Sequence, residues 1–477
     1  MPTTNTIKRS ELVRGLGLWA ATAVIIGSMV GQSIFLVPSE IARDVGSIGR
    51  VFAAWLVGGV LVLFAAFCYA ELGAALPEAG GDFVYLGRAL GPRWGFLYGW
   101  TCALLQGPAM AAVIAAGLLR ITGFLLSSVA APIFTWRVSA PFVRHPYQFT
   151  LTAAQAWAAL AIAAVAAINY FGVRTAGRVQ VLLTGLKVTA ILVIVALGLA
   201  MRRVGGIDTP ATVAPLAYGG IGAFLAALVP VMVACNGFQT LGQVGGEIAN
   251  PHKTIPRAVI LGVLTVMTLY VLVKVVYVRV LGIFQIANSQ HVASDAAVKL
   301  VGPGGTRWLT IMMMLSALGS LHANFLARPR VPYAMARNGQ FFKTVRRIQP
   351  TFHTPSGAIL FHGCLAIVLV LTGTFEEIYS LGIFSIWIFL ALTAISLIRL
   401  RVREPALPRP YRTWGYPWTP LVLAASAFAM TANLWRVRPL RSSIGIALIL
   451  LGIPFFHHWR KRAADSPLVE TAPSAGV

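Results

Sequence analysis

The chain has 477 residues, of which 57% are hydrophobic and only 11% charged, with a mean hydropathy of +0.78. These values argue against a soluble globular domain and for a multi-span membrane protein. The formal charge of +24 lies in short loops between apolar runs rather than on one basic face, which argues against nucleic-acid binding and fits the way membrane topology is encoded.

Apolar runs long enough to cross a hydrocarbon core of about 30 Å recur along the whole length, roughly twelve by that criterion. The predicted spans are 16-38, 51-76, 95-120, 152-169, 180-201, 219-243, 258-281, 307-328, 356-373, 378-400, 417-435 and 441-457. An even number of spans puts both termini on one side. About 23 Lys and Arg fall on that side and about 13 on the other, so both termini are expected in the cytoplasm of a protein of the cell membrane. Residues 1-15 and 458-477 then form cytoplasmic tails around a single transmembrane domain, 16-457. The basic connections Arg328 to Arg347 and Arg399 to Trp418 read as cytoplasmic anchors.

Within the first span, Gly27-Ser28-Met29-Val30-Gly31-Gln32-Ser33-Ile34-Phe35 places two glycines four apart, followed by polar residues and Pro38. Taken alone, a G-x-x-x-G pattern also serves close helix packing. As a break in the helix it needs a cavity or protein around it, because lipid cannot satisfy freed backbone groups.

The connection from Ile121 to Thr150 is long and carries Pro132, Pro141 and Pro146. In the fifth span, Lys187 is an ionisable group deep in an apolar segment; such groups are costly and mark function unless they pair with a neighbouring carbonyl.

The sixth span repeats the interruption at Val233-Ala234-Cys235-Asn236-Gly237-Phe238-Gln239, five spans after the first. Paired breaks in corresponding positions of two halves point to an inverted-repeat secondary transporter, with halves at 16-201 and 219-400 and two extra spans at 417-457. The fold class expected is therefore an all-α membrane protein of about twelve transmembrane helices with discontinuous helices 1 and 6.

A half-helix starting near Gln32 and Ser33 offers free N–H groups and a positive dipole end to a carboxylate. Carbonyls freed near Met29, Val233 and Asn236 suit an ammonium group. Gly31 and Gly237 complete this predicted substrate site for an amino acid or related amine. No acidic side chain is expected deep in the cavity, which favours neutral amino acids over cationic ones or polyamines.

Lys274, near the end of its span, is expected to snorkel. His322 is read either as cavity lining or as a hydrogen-bonded packing residue, and Glu71 and Glu247 as ion-pair anchors. Cys68, Cys102, Cys235 and Cys364 lie in apolar segments without metal-ligand spacing and read as small buried side chains, so no metal, cofactor or disulfide-linked partner is expected. No H-E-x-x-H, G-x-S-x-G or P-loop pattern points to an enzyme.

The chain resembles the amino acid-polyamine-organocation superfamily, and within it the L-type amino acid transporter family. The resemblance rests on IIGSMVGQSIFLVP (Ile25 to Pro38), ELGAALPEAGGDFVYLGRALGPRWGFLYGW (Glu71 to Trp100), GEIANPHKTIPRA (Gly246 to Ala258), ALGSLHANFLARPRVPYAMARNGQFF (Ala317 to Phe342) and LPRPYRTWGYPW (Leu407 to Trp418). It implies a five-plus-five inverted repeat working by alternating access as an antiporter or permease, with a membrane sensor of the same fold as the alternative.

The family pattern Gly-Ser-Gly-Ile-Phe is replaced here by Gly31-Gln32-Ser33-Ile34-Phe35. Many relatives carry a bulky aromatic where Val233 stands, which leaves Phe238 as the nearest candidate gate. Lys187 matches a lysine of sodium-independent relatives that replaces a sodium ion, and by that likeness it is expected to touch the first break near Gly27 and Ser28, with Ser320 as its neighbour in span eight.

Overall fold

The computed structural model describes residues 12–31, 33–123, 131–138, 147–201, 221–289, 291–302 and 304–464. Eight helical stretches among them are long and apolar enough to cross a membrane, and shorter apolar helices accompany these. Helices dominate because a bilayer leaves backbone groups no partner outside the segment itself.

The first span is two helices, α1 (Leu18–Met29) and α2 (Ser33–Val45). Next come α3 (Ile48–Ala75), α4 (Asp82–Leu90) and α5 (Pro92–Thr101). A π-helical turn, Cys102–Gln106, joins α5 to α6 (Gly107–Thr122) within one span. The long connection that follows contains an antiparallel hairpin, β1 (Pro132–Val138) and β2 (Tyr147–Thr152), the one sheet among the described residues. Thr152 and Gln155 then form a capping box that starts α7 (Ala153–Tyr170), and α8 (Val173–Ala200) carries Lys187.

The second half begins with α9 (Ile221–Ala234) and the four-residue α10 (Thr240–Gln243), which together make the broken sixth span. The 38-residue α11 (Pro251–Asn288) bends at Gly282, where φ is +73°. A short helix, α12 (Val292–Val301), fills the connection before α13 (Gly305–Ala327) and α14 (Arg330–Arg337). The chain closes with α15 (Ser356–Thr372), α16 (Phe375–Arg403), α17 (Trp418–Val437), α18 (Pro439–Leu450) and α19 (Gly452–Ala464).

Helix α1 packs against α8, α11 and α13, while α2 packs against α9 and α11, so both halves of the first span sit inside the bundle. Leu16, ahead of α1, donates its N–H to Glu247 O at 3.0 Å and accepts from Ala249 N at 2.9 Å, which fixes the entry to α1 beside the exit from the sixth span.

Three readings change on folding. Lys274 does not snorkel: it is buried, its Nζ donates to Ile34 O at 3.0 Å, and it lies 4.8 Å and 5.2 Å from the Trp55 and Tyr277 ring centroids. The cause is that α11 is covered by α2 and α3, leaving the ammonium a carbonyl and two aromatic faces instead of water. Arg328 and Arg330, read as part of a basic connection that anchors the cytoplasmic side, are both buried. Cys364 is exposed, whereas Cys68, Cys102 and Cys235 are buried, and all four are free thiols.

Arg330 forms a fully buried pair with Glu247 at 2.8 Å. Glu71 accepts from Arg401 at 2.6 Å and from the Thr413 N–H at 2.6 Å, with Arg409 3.6 Å away. These two acidic residues therefore do anchor helix ends to basic segments.

Candidate functional site

Both predicted breaks exist, and they touch. Helix α1 ends when Val30 leaves the helical region at ψ +87°, with its N–H still on Ile26 O at 2.8 Å and Gly31 N on Met29 O at 2.9 Å. Helix α9 ends at Ala234, and Gly237 then adopts φ +136°, a conformation that L side chains rarely enter. A Cβ at Gly237 would lie 2.8 Å from the Ser28 carbonyl carbon and 2.9 Å from the Met29 amide nitrogen. Glycine is needed there for conformation and for close approach alike.

Polar side chains stitch the junction. Thr240 Oγ1 donates to Gly237 O at 2.6 Å and lies 3.1 Å from Ser28 Oγ. The Gln239 amide donates to Asn236 Oδ1 at 2.7 Å and accepts from Gly237 N at 3.2 Å. Tyr270 of α11 places its hydroxyl 2.9 Å from Met29 O and 3.1 Å from Ala234 O, bridging the two breaks. The Met29 carbonyl, predicted as an acceptor for a substrate ammonium, thus already has protein donors.

Lys187 stands on the other side of α1. Its Nζ lies 2.7 Å from Val30 O, 3.0 Å from Ser316 O, 3.3 Å from Ser320 Oγ and 3.4 Å from Gly27 O. The first break, α8 and α13 therefore meet on one buried cation. Ser28 is not among its partners, since that hydroxyl faces Thr240 instead. One turn earlier on α8, Thr184 Oγ1 donates to Ala23 O at 3.0 Å and Gln180 Nε2 lies 3.3 Å from the same oxygen. His322 reaches Gln180 Oε1 through Nδ1 at 2.8 Å, so it belongs to this packing network and not to the cavity wall.

A cavity of about 270 Å³ opens beside the junction, lined by Ser28, Met29, Gly31, Val233, Asn236 and Gly237 on its two broken helices. Ser320, Asn324 and Arg328 of the α13 wall, with Tyr379 and Trp387 of α16, face them. A smaller cavity of about 20 Å³ adjoins Asn236 and Arg328 and is lined by Tyr69, Asp82 and Phe238. Phe238 packs edge to face on Tyr69 with centroids 5.4 Å apart, away from the larger cavity, whose aromatic walls are Tyr379 and Trp387. Gln32 lies outside the described residues, and Ser33 is described only as the first residue of α2.

The larger cavity has no acidic side chain among its described lining residues, as expected, but one lies in the smaller cavity beside it. Asp82 is buried on the wall of the smaller cavity, where Oδ1 accepts from Tyr69 at 2.5 Å and from Thr393 at 2.7 Å. Helix α4 carries it inward because a positive-φ turn at Gly80 and Gly81 packs against Ala334 and Gln243.

Sequence reasoning also missed Thr184, Gln180 and Tyr270. A signal existed for all three. Gln180, Thr184 and Lys187 share one face of α8 at spacings of four and three, and Tyr270 lies four residues before Lys274 on α11.

A helical membrane bundle whose two discontinuous spans meet at a central cavity defines a secondary transporter rather than an enzyme. The chain belongs to the amino acid permease family, whose model matches residues 16–455. Among its relatives, the serine/threonine exchanger SteT of Bacillus subtilis is 28% identical over 95% of this chain and 98% of its own. The human cystine/glutamate transporter is 28% identical over 94% of this chain and 86% of its own. The human b(0,+)-type amino acid transporter 1 is 27% identical over 85% and 80% respectively. The protein is a multi-span membrane transporter in the amino acid-polyamine-organocation superfamily, close to the L-type family.

Proposed function

We propose that this protein is a sodium-independent amino acid exchanger of the cell membrane, with both termini cytoplasmic, working by alternating access around the two breaks. The observation that carries the reading is the position of Lys187, whose ammonium is held by carbonyl and hydroxyl oxygens of the first break and α13. An oxygen cage of this kind is what an alkali cation would otherwise need, and here a side chain fills it. The α-amino and α-carboxyl groups are assigned to the backbone around Gly31, Gln32, Ser33, Val233, Asn236 and Gly237.

The names of the relatives, a serine/threonine exchanger and a cystine/glutamate transporter among them, support amino acids as the substrate class. Cationic side chains and polyamines fit poorly, because the one formal charge among the described residues of the larger cavity is Arg328. Neutral side chains meet no such repulsion.

Counterflow in proteoliposomes tests this. Preloaded amino acid is expected to drive uptake of labelled amino acid with sodium absent on both sides. Strict dependence on a sodium gradient, or no counterflow with any amino acid, overturns it. Thermal stabilisation by an amino acid without counterflow in the same preparation would indicate a sensor instead.

A further inference from the structure

We propose that Arg328 is the side-chain subsite of this cavity and that it selects an amino acid whose side chain ends in a carboxylate. The inference rests on the amino acid reading above and deepens it.

Position comes first. Ser320, Asn324 and Arg328 repeat at four-residue intervals, so they share one face of the α13 helix and its C-terminal end, and all three line the larger cavity. Ser320 sits at the first break, 3.0 Å from Gly27 O and 3.1 Å from Val30 O. Arg328 follows eight residues later, about 12 Å along the axis at 1.5 Å per residue. Side chains on a helix lean toward its N-terminus, which turns the guanidinium back toward the breaks. A substrate clamped by its α-groups at the breaks would thus extend its side chain toward Arg328.

Charge comes second. Arg328 is only 5% exposed. Its Nη1 has two neutral partners, Gln106 Oε1 at a long 3.5 Å and the weak acceptor Cys102 Sγ at 3.6 Å. Among the described residues it forms no ion pair, unlike Arg330 two positions on, which holds Glu247 at 2.8 Å. A buried guanidinium with no carboxylate in contact is costly, and the larger cavity is where one can enter. Asp82, across the smaller cavity that Arg328 also lines, acts on it only through space: no hydrogen bond or ion pair joins them, and its Oδ1 is given to Tyr69 and Thr393.

Shape comes third. Both partners of Nη1 lie on the π-helical turn Cys102–Gln106, an irregularity that recurs at functional sites. Gln106 Nε2 donates to Ser385 Oγ at 2.6 Å, which turns its carbonyl oxygen toward Arg328 and orients the guanidinium. Arginine's planar fork then presents paired donors to a carboxylate.

The test compares glutamate with glutamine, and aspartate with asparagine, as competitors of counterflow by the full-length protein in proteoliposomes. Each pair differs only in the terminal oxygen and amide. The unmutated transporter is expected to prefer the acid over its amide by about tenfold or more in apparent affinity. Arg328→Gln should bring both ratios close to one, and Arg328→Lys should leave an intermediate preference, since it keeps the charge and loses the fork.

An unmutated protein that binds the amides as well as the acids overturns the proposal while leaving amino acid transport intact, and that arm needs no variant to fold. Undiminished preference for the acids in Arg328→Gln also overturns it. Absence of competition by any amino acid overturns both this subsite and the transport reading on which it rests.

Discussion

The Lys187 ammonium lies 2.7 Å from the Val30 carbonyl oxygen and 3.0 Å from that of Ser316, so one side chain ties the end of α1 to α13. The bond joins a helix break to a helix that lines the facing wall of the cavity, so on the exchange reading proposed above it would couple the two. For Lys187→Ala we expect sodium-free counterflow to fall by about tenfold or more, because carbonyls freed by the break lose a charged donor. The variant should still elute as a monodisperse species in detergent. Counterflow equal to that of the parent would remove Lys187 from the transport cycle.

Gly237 tests the junction of the two breaks. Alanine there must hold φ near +136° with its Cβ under 3 Å from the Ser28–Met29 backbone. We expect a loss of about 1–3 kcal/mol from the backbone strain alone, visible as a lower unfolding temperature, together with loss of substrate binding. Gly49, in helix α3 with nothing within 4 Å of an added Cβ, provides the control, and Gly49→Ala should leave binding unchanged and not lower the unfolding temperature.

Tyr270→Phe removes a hydroxyl shared between Met29 O and Ala234 O while keeping the ring that packs edge to face on Trp55. The expected stability cost is about 0.5–1.5 kcal/mol. Because the lost contact spans both breaks, exchange should slow more than that figure suggests. Unchanged exchange alongside unchanged stability would show that the bridge is dispensable.

The Glu247–Arg330 pair, with both side chains fully buried, predicts an asymmetry. Glu247→Gln leaves a guanidinium without its counter-ion and is expected to destabilise by about 3–5 kcal/mol. Replacing both residues by apolar ones of similar size should cost much less. Thermal unfolding of the two variants, compared side by side, decides this.

Outside the spans, Glu404 accepts from Arg88 at 2.7 Å, and that hydrogen bond holds its carboxyl below the ordinary value of 4.5. A depressed carboxylate stabilises the fold above its unfolded pKa and loses that contribution as pH falls through the folded one. Arg88→Ala should therefore cost stability at neutral pH and nothing once Glu404 is protonated. Since both side chains are partly exposed, at 43% and 32%, the effect should stay within about 1 kcal/mol.

Much of this architecture was legible in the chain because its signals are local. Apolar runs fix spans wherever the bilayer demands them, glycines with adjacent polar residues mark where a helix stops, and a lysine inside an apolar run declares itself by its cost. The positions of the breaks at Gly31 and Gly237 and the depth of Lys187 follow from those signals alone.

Only the tertiary structure decided which groups meet. Ser28 faces Thr240 and not Lys187 because the close approach of Gly237 to Ser28 turns that side of α1 toward the sixth span. Lys274 is enclosed because α2 and α3 cover α11, a fact about neighbours that no stretch of α11 records. Arg328 looks in sequence like any other charge in a basic loop. It faces the cavity because α13 presents every fourth residue, Ser320, Asn324 and then Arg328 at its C-terminal end, to the same wall.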